Sequence, residues 1–174
     1  SIEKNVKNIA DSKNKDLTQI TACLLDRPRH YEIIKKLRDL KVNLKLISDG
    51  DVSGALLVTN PKYKVDIFIG IGGGPEGVLA ASALDAFECK FQGRFLFKTD
   101  KDINRARKMG IIDLKRKYEI KDIVRGDSIF CATGITSGDL VEGVKIENDK
   151  YHTQTLFTHK NSSIDIIKKA VPIT

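Results

Sequence analysis

A chain of 174 residues, 41% hydrophobic and 30% charged, has the length of one domain able to bury a core without disulfides. No apolar run approaches the ~20 residues of a membrane span, and the opening SIEKNVKNIA lacks the apolar stretch of a signal peptide, so the expectation is a cytoplasmic protein with no membrane partner. The net charge of +7 is spread rather than clustered: Lys98 to Arg125 holds ten Lys/Arg against five Asp/Glu, and with no Trp and 6% aromatics nothing alternates as a base-stacking surface would, so no nucleic acid is expected.

Hydrophobic spacing lays out the elements. Residues 1–15 predict an amphipathic helix with Ser1 as cap; 17–25 (LTQITACLL) a strand; 28–40 a helix with Pro28 in its first position; and 43–48 (NLKLIS) a second strand. A helix over 51–59, a strand over 66–71 (DIFIGI) and a helix over 75–89 follow. Beyond GRFLF (93–97), residues 102–110 and 117–124 read as helical, 128–135 (SIFCATGI) as a strand, and 141–148 with 151–160 as a hairpin; residues 162–174 fit a strand or a helix. The alternation predicts a single α/β domain over 1–174, a mostly parallel sheet with helices packed on it, plus a C-terminal hairpin. Cys23, Cys89 and Cys131 are expected as buried reduced thiols, and His30, His152 and His159 lack the spacing of zinc ligands.

In a parallel sheet the strand ends share one edge, and ligands bind outside it. Three successive turns on that edge carry unusual polar sets. In DRPRH, Pro28 disfavours helical geometry at Arg27, so Arg27 and Arg29 can lie on one side. Two guanidiniums ~7 Å apart repel by roughly 2 kcal/mol at an effective dielectric of 20, against about 0.6 in water, and a phosphate between them would relieve this. In SDGD, Ser48 or Asp49 could cap the next helix, but capping does not explain both Asp49 and Asp51; a pair of carboxylates also accepts from sugar hydroxyls. In IGIGGGPEG, Gly72, Gly74 and Gly77 match the dinucleotide pattern, with Asp100 downstream, yet Glu76 would face the pyrophosphate. A hard divalent cation reverses that repulsion, because carboxylate oxygens ligate it and it bridges to phosphate. Together the three turns describe a site for a phosphorylated polyol with a metal ion. In a fourth turn, ATGITSGDL, Thr136 and Asp139 have the spacing of a capping box.

LDRPRH, LISDGDVSGALL, IGIGGGPEGVLAASAL, FQGRFLF and ATGITSGDLVEGV, in this order, resemble the second half of class II fructose-1,6-bisphosphatases, the bacterial type related to lithium-sensitive phosphatases. The resemblance implies substrate-binding roles for Arg27, Arg29, Asp49, Asp51 and Gly73, and a metal-ligand role for Glu76, with Mn²⁺ or Mg²⁺ as cofactor and fructose 1,6-bisphosphate as partner. It implies the hydrolysis of the 1-phosphate to fructose 6-phosphate in gluconeogenesis, by a homo-oligomer when complete. The family's N-terminal half, with further acidic ligands and a water-activating hydroxyl, has no match here. This chain is therefore expected to be the substrate-binding half, to hold no catalytic residue and to be inactive alone. The alternatives are a dinucleotide-binding module and a non-catalytic sugar-phosphate-binding domain.

Overall fold

The computed structural model describes residues 1–161 and 163–173. Helix α1 (Ile2–Lys13) starts where expected, its Lys4 N–H donating to the Ser1 hydroxyl at 3.3 Å. The predicted strand over 17–25 is shorter at its start. Asp16 N–H donates to the Gln19 side chain at 2.9 Å and winds Leu17–Gln19 into a 3₁₀ turn, leaving β1 as Thr21–Leu25. A 3₁₀ turn at Pro28–His30 leads into α2 (Tyr31–Asp39), then β2 (Asn43–Ile47), α3 (Asp51–Leu56), β3 (Ile67–Phe68) and α4 (Gly74–Asp85). Strands β2, β1 and β3 form a parallel sheet in that order, with Ala22 opposite both Leu44 and Ile67. The strand predicted over 66–71 is paired only at its centre, with Asp66 N–H and Ile69 N–H donating to Thr21 and Cys23 carbonyls just outside the ladder.

The central strand is buried on both faces, which is why it reads as an unbroken apolar run. Ala22 and Leu24 pack with Val6 and Ala10 of α1 and Ile34 and Leu37 of α2; Cys23 packs on the other face with Leu57 and Val65. Burial pushes the Cys23 thiol up to about 11. The expectation of three buried cysteines fails at Cys131, which is exposed because it lies on the outward face of its strand, and Cys89 is half-buried.

The rest of the chain is β4 (Gln92–Gly93), α5 (Asp100–Lys108), β5 (Tyr118–Glu119), α6 (Ile120–Ile123), β6 (Ile129–Thr133), β7 (Lys145–Glu147), β8 (Lys150–His159) and β9 (Ser163–Pro172), with β4 and β5 in a two-stranded antiparallel sheet and β6 to β9 in a separate four-stranded one. The helix expected over 117–124 starts late, because Tyr118–Glu119 pairs with β4 and the Asp122 carboxylate accepts from Glu119 N–H at 2.9 Å. The α/β class holds. The predicted hairpin is β7–β8, and the antiparallel part grows beyond it: β6 and β7 pair with β8 on one side and β9 on the other, so residues 163–172 take the strand alternative. Leu56, Ala83, Leu84, Phe130 and Leu156 join α3 and α4 to this sheet. The capping-box reading of Thr136 and Asp139 fails, since among the described residues no helix follows β6. The loop folds on itself instead, Ser137 Oγ accepting from Gly143 N–H at 3.0 Å, and Asp139 pairs with Lys45 at 2.6 Å. Among the described residues no helix is long and apolar enough to cross a membrane.

Asp66, with its side chain only 7% exposed, fastens α1 to the sheet: it accepts from Lys13 Nζ at 2.7 Å, Lys15 Nζ at 3.0 Å and Thr21 N–H at 2.9 Å. Burial alone would raise its pKa; the Lys13, Thr21 and Lys15 hydrogen bonds outweigh it and hold the carboxyl below its ordinary value. A depressed folded pKa contributes stability above the unfolded value of about 3.9, lost as pH falls through the folded one. Asp66→Asn should therefore lower unfolding free energy by about 2 kcal/mol at pH 7, with the gap to the parent narrowing below about pH 4 in urea titrations.

Candidate functional site

Three loops leave the carboxyl ends of β1, β2 and β3 on one edge. Pro28 acts as the sequence predicts: Arg27 is extended, at φ −135° and ψ 146°, which separates it from the helical turn that carries Arg29 and His30. In the second loop Gly50 is the N-cap of α3 at φ 90°, a left-handed conformation that a glycine adopts without strain. Neither Ser48 nor Asp49 caps that helix. Asp49 Oδ1 accepts from Gly50 N–H at 2.8 Å, and Asp51 is the helix's first residue, so capping accounts for neither acid.

The two loops face each other through matched charges. Arg27 Nη2 lies 4.0 Å from Asp49 Oδ1, and Arg29 Nη2 lies 3.9 Å from Asp51 Oδ2. Asp49 is 92% exposed and Asp51 28%, so the pairs are long and wet and contribute at most about 1 kcal/mol each. Each arginine thus has an intramolecular counter-charge. Both guanidiniums keep donors free for a better acceptor.

The third loop is held against the first by a residue that sequence reasoning weighed only as a zinc ligand. His30 is fully buried. Ile71 N–H donates to its Nε2 at 2.8 Å, so that nitrogen carries the lone pair and Nδ1 carries the proton, donating to the Leu25 carbonyl at 2.8 Å. Arg29 Nε donates to the Ile71 carbonyl at 2.5 Å. Consecutive side chains on the first loop therefore hold both polar groups of one residue on the third. The signal was available in the helical spacing, where His30, Ile34 and Leu37 share the buried stripe of α2.

Beyond Ile71 the loop passes Asp51, since a Cβ on Gly72 would sit 3.7 Å from Asp51 Oδ2. Gly73, the N-cap of α4, leaves room for the Glu76 carboxylate, which folds back so far that a Cβ at 73 would overlap its Oε2. Glu76 is exposed, in the first turn of α4, with no hydrogen bond or ion pair among the described residues. The edge thus brings together Arg27, Arg29, Asp49, Asp51, Gly73 and Glu76. Glu76 offers a hard cation an oxygen ligand, but no group of three His, Cys, Asp or Glu suited to a metal occurs among the described residues. Since such ions take six or more oxygens, Glu76 fits as one member of a shared ligand set. Asp100 lies in the first turn of α5 behind its cap Thr99, whose hydroxyl accepts from Asp102 N–H at 3.2 Å.

An α/β fold with opposed arginines and aspartates beside a glycine-framed carboxylate defines a polar, open site at the strand ends. The chain belongs to the family of bacterial fructose-1,6-bisphosphatases, glpX-encoded, which it matches over residues 1–170. It is 34% identical over 175 residues to a D-fructose 1,6-bisphosphatase class 2/sedoheptulose 1,7-bisphosphatase of Synechococcus sp., covering 92% of this chain and 50% of that protein. It is 34% identical to the fructose-1,6-bisphosphatase class 2 of Haemophilus influenzae, covering 92% of this chain and 52% of that protein. With the fructose-1,6-bisphosphatase 1 class 2 of Escherichia coli the identity is also 34%, over 91% of this chain and 51% of the relative. The chain spans about half the length of the curated relatives it matches. These relatives give no support to the dinucleotide-binding or non-catalytic alternatives.

His30→Ala should leave Ile71 N–H without a partner, while Leu25 O keeps the Arg27 N–H at 3.0 Å, and lower unfolding free energy by about 2 kcal/mol, the cost of one orphaned buried group. Amide exchange at Ile71 should rise with it; an unchanged urea midpoint and unchanged Ile71 protection would remove the clamp from the account.

Proposed function

We propose that this chain forms the sugar-bisphosphate-binding half of a class II fructose-1,6-bisphosphatase, the complete enzyme hydrolysing the 1-phosphate of fructose 1,6-bisphosphate. The observation that carries this reading is the meeting of the Arg27/Asp49 and Arg29/Asp51 pairs with the loop at Ile71–Gly73 on one strand-end edge. Arg27 and Arg29 bind a phosphate group through forked donors, exchanging long contacts of 4.0 and 3.9 Å for short charge-assisted ones. Asp49 and Asp51, released from the arginines, accept from the sugar hydroxyls. Gly73 lets the ligand approach the backbone beside the N-terminus of α4, whose N–H groups favour an anion.

Glu76 provides one oxygen to Mn²⁺ or Mg²⁺. When bound, such an ion polarises a phosphoryl oxygen and lowers the pKa of its water. The further carboxylates that complete the ligand set, and the group that activates the attacking water, belong to the remainder of the enzyme. This half binds and orients.

Calorimetric titration with fructose 1,6-bisphosphate should show binding that weakens about tenfold or more in Arg27→Ala and in Arg29→Ala, the loss expected for a charged hydrogen bond. Glu76→Ala should reduce Mn²⁺ affinity while leaving the fold intact by circular dichroism. Robust Mn²⁺-dependent phosphatase turnover by the 174-residue chain alone would overturn the division of labour, and arginine variants that bind as tightly as the parent would overturn the site.

A further inference from the structure

His30 is a buried titratable group to which the ligand chemistry above gives no role, and both of its ring nitrogens meet backbone alone. Nδ1 lies 2.8 Å from the Leu25 carbonyl and must carry the proton, because the other tautomer would set two lone pairs against each other there. Nε2 is then an acceptor only. It takes the Ile71 N–H at 2.8 Å, so its 3.3 Å approach to the Ile71 carbonyl is no hydrogen bond, and that carbonyl is left to Arg29 Nε.

The two bonds differ in what they hold. Leu25 O also receives the Arg27 N–H at 3.0 Å, so the Nδ1 bond is duplicated, whereas the Ile71 N–H has His30 alone. Ile71 is moreover the last residue of its loop tied to another element before α4: among the described residues the N–H groups of Gly72, Gly73 and Gly74 donate to no protein acceptor. Three residues without side chains, their N–H groups open to a ligand, thus follow one residue held at both its N–H and its carbonyl. Fixing Ile71 fixes the passage of Gly72 beside Asp51, where a Cβ would lie 3.7 Å from Oδ2, and the seat of Gly73 under the Glu76 carboxylate.

We propose that His30 is a positioning residue of the sugar-bisphosphate site: through its bond to the Ile71 N–H it holds Gly72 and Gly73 where the ligand approaches the backbone, without touching the ligand itself. The inference rests on the function proposed above and adds a residue to it. Arg29 and His30 divide the task by exposure. The Arg29 side chain is exposed, so water competes for its bond to the Ile71 carbonyl; the His30 ring is out of reach of water, and its bond is the anchor. A loop released from that anchor samples other conformations, and apparent affinity falls with the fraction of time it spends in the competent one.

Two amide side chains separate the ring nitrogens. Glutamine sets an amide oxygen near the place of Nε2 and asparagine an amide nitrogen near the place of Nδ1, so His30→Gln keeps the Ile71 bond while His30→Asn keeps only the duplicated Leu25 one. Calorimetric titration of the 174-residue chain with fructose 1,6-bisphosphate should show about tenfold weaker binding in His30→Asn, as for a loop competent about a tenth of the time, and recovery to within about threefold of the parent in His30→Gln. Urea midpoints are the control, since a role confined to filling the core would weaken both variants alike. On the unmodified chain, nitrogen NMR shifts should place the proton on Nδ1, and amide exchange should find Ile71 protected before ligand is added and Gly72 and Gly73 only afterwards. A His30→Asn chain that binds like the parent, a His30→Gln chain that binds no better than His30→Asn, a proton on Nε2, or an Ile71 amide as open as that of Gly72 would each overturn the positioning role alone. A parent chain that fails to bind fructose 1,6-bisphosphate while its Ile71 amide is protected would overturn the function proposed above, and the positioning role with it, leaving His30 a clamp for stability only.

Discussion

The site depends on one residue. Ile71 is the point where the glycine-rich loop leaves the sheet, and both of its polar groups are held from the first loop, its N–H by His30 and its carbonyl by Arg29. A loop with Gly70, Gly72, Gly73 and Gly74 has a large conformational entropy to lose, and two adjacent side chains of the first loop, the exposed Arg29 and the buried His30, take up that constraint. His30 can do so because it is fully buried and carries one donor and one acceptor, matching one carbonyl and one N–H at opposite sides of the ring. Arg29 is structural through Nε, which donates to the Ile71 carbonyl, while its outer nitrogens stay at the open edge.

Electrostatic balance follows from the same geometry. Each arginine of the first loop has an aspartate of the second as counter-charge, at a separation too long for a good hydrogen bond. The site is therefore neutralised without being closed. Donors and acceptors are held near one another with little mutual stabilisation, so a ligand carrying both phosphate and hydroxyl groups meets them at small cost. Glu76 stands apart, unpaired among the described residues and folded over Gly73, which places its charge at the rim where the helix dipole of α4 favours it.

The antiparallel half of the molecule has a different character. Phe130 and Leu156 are buried under α3 and α4, whereas the outer strand carries its isoleucines into solvent. The parallel half has α1 and α2 packed on one side and α3 on the other, and it carries the strand-end loops.

The sequence by itself determined the elements whose signal is local: α1 with its Ser1 cap, the extended Arg27 before Pro28, and the apolar period that buries β1 on both faces; the helix expected to begin at Pro28 begins at Tyr31, after a 3₁₀ turn. It also determined the composition of the three loops, because Arg, Asp, Gly and Glu at strand-to-helix turns are visible in any register. What only the tertiary structure decided was how those loops meet. That Arg27 faces Asp49, that His30 reaches Ile71 across 41 residues, and that Asp66 ties Lys13 to the sheet are contacts between segments distant in sequence. The third strand shows the same limit, since an apolar stretch of six residues pairs over only two, its length set by the neighbour rather than by its own propensity. Periodicity reports the face a residue presents; a partner far along the chain decides what that face touches, and that choice is made by packing and by the need to satisfy every buried donor and acceptor.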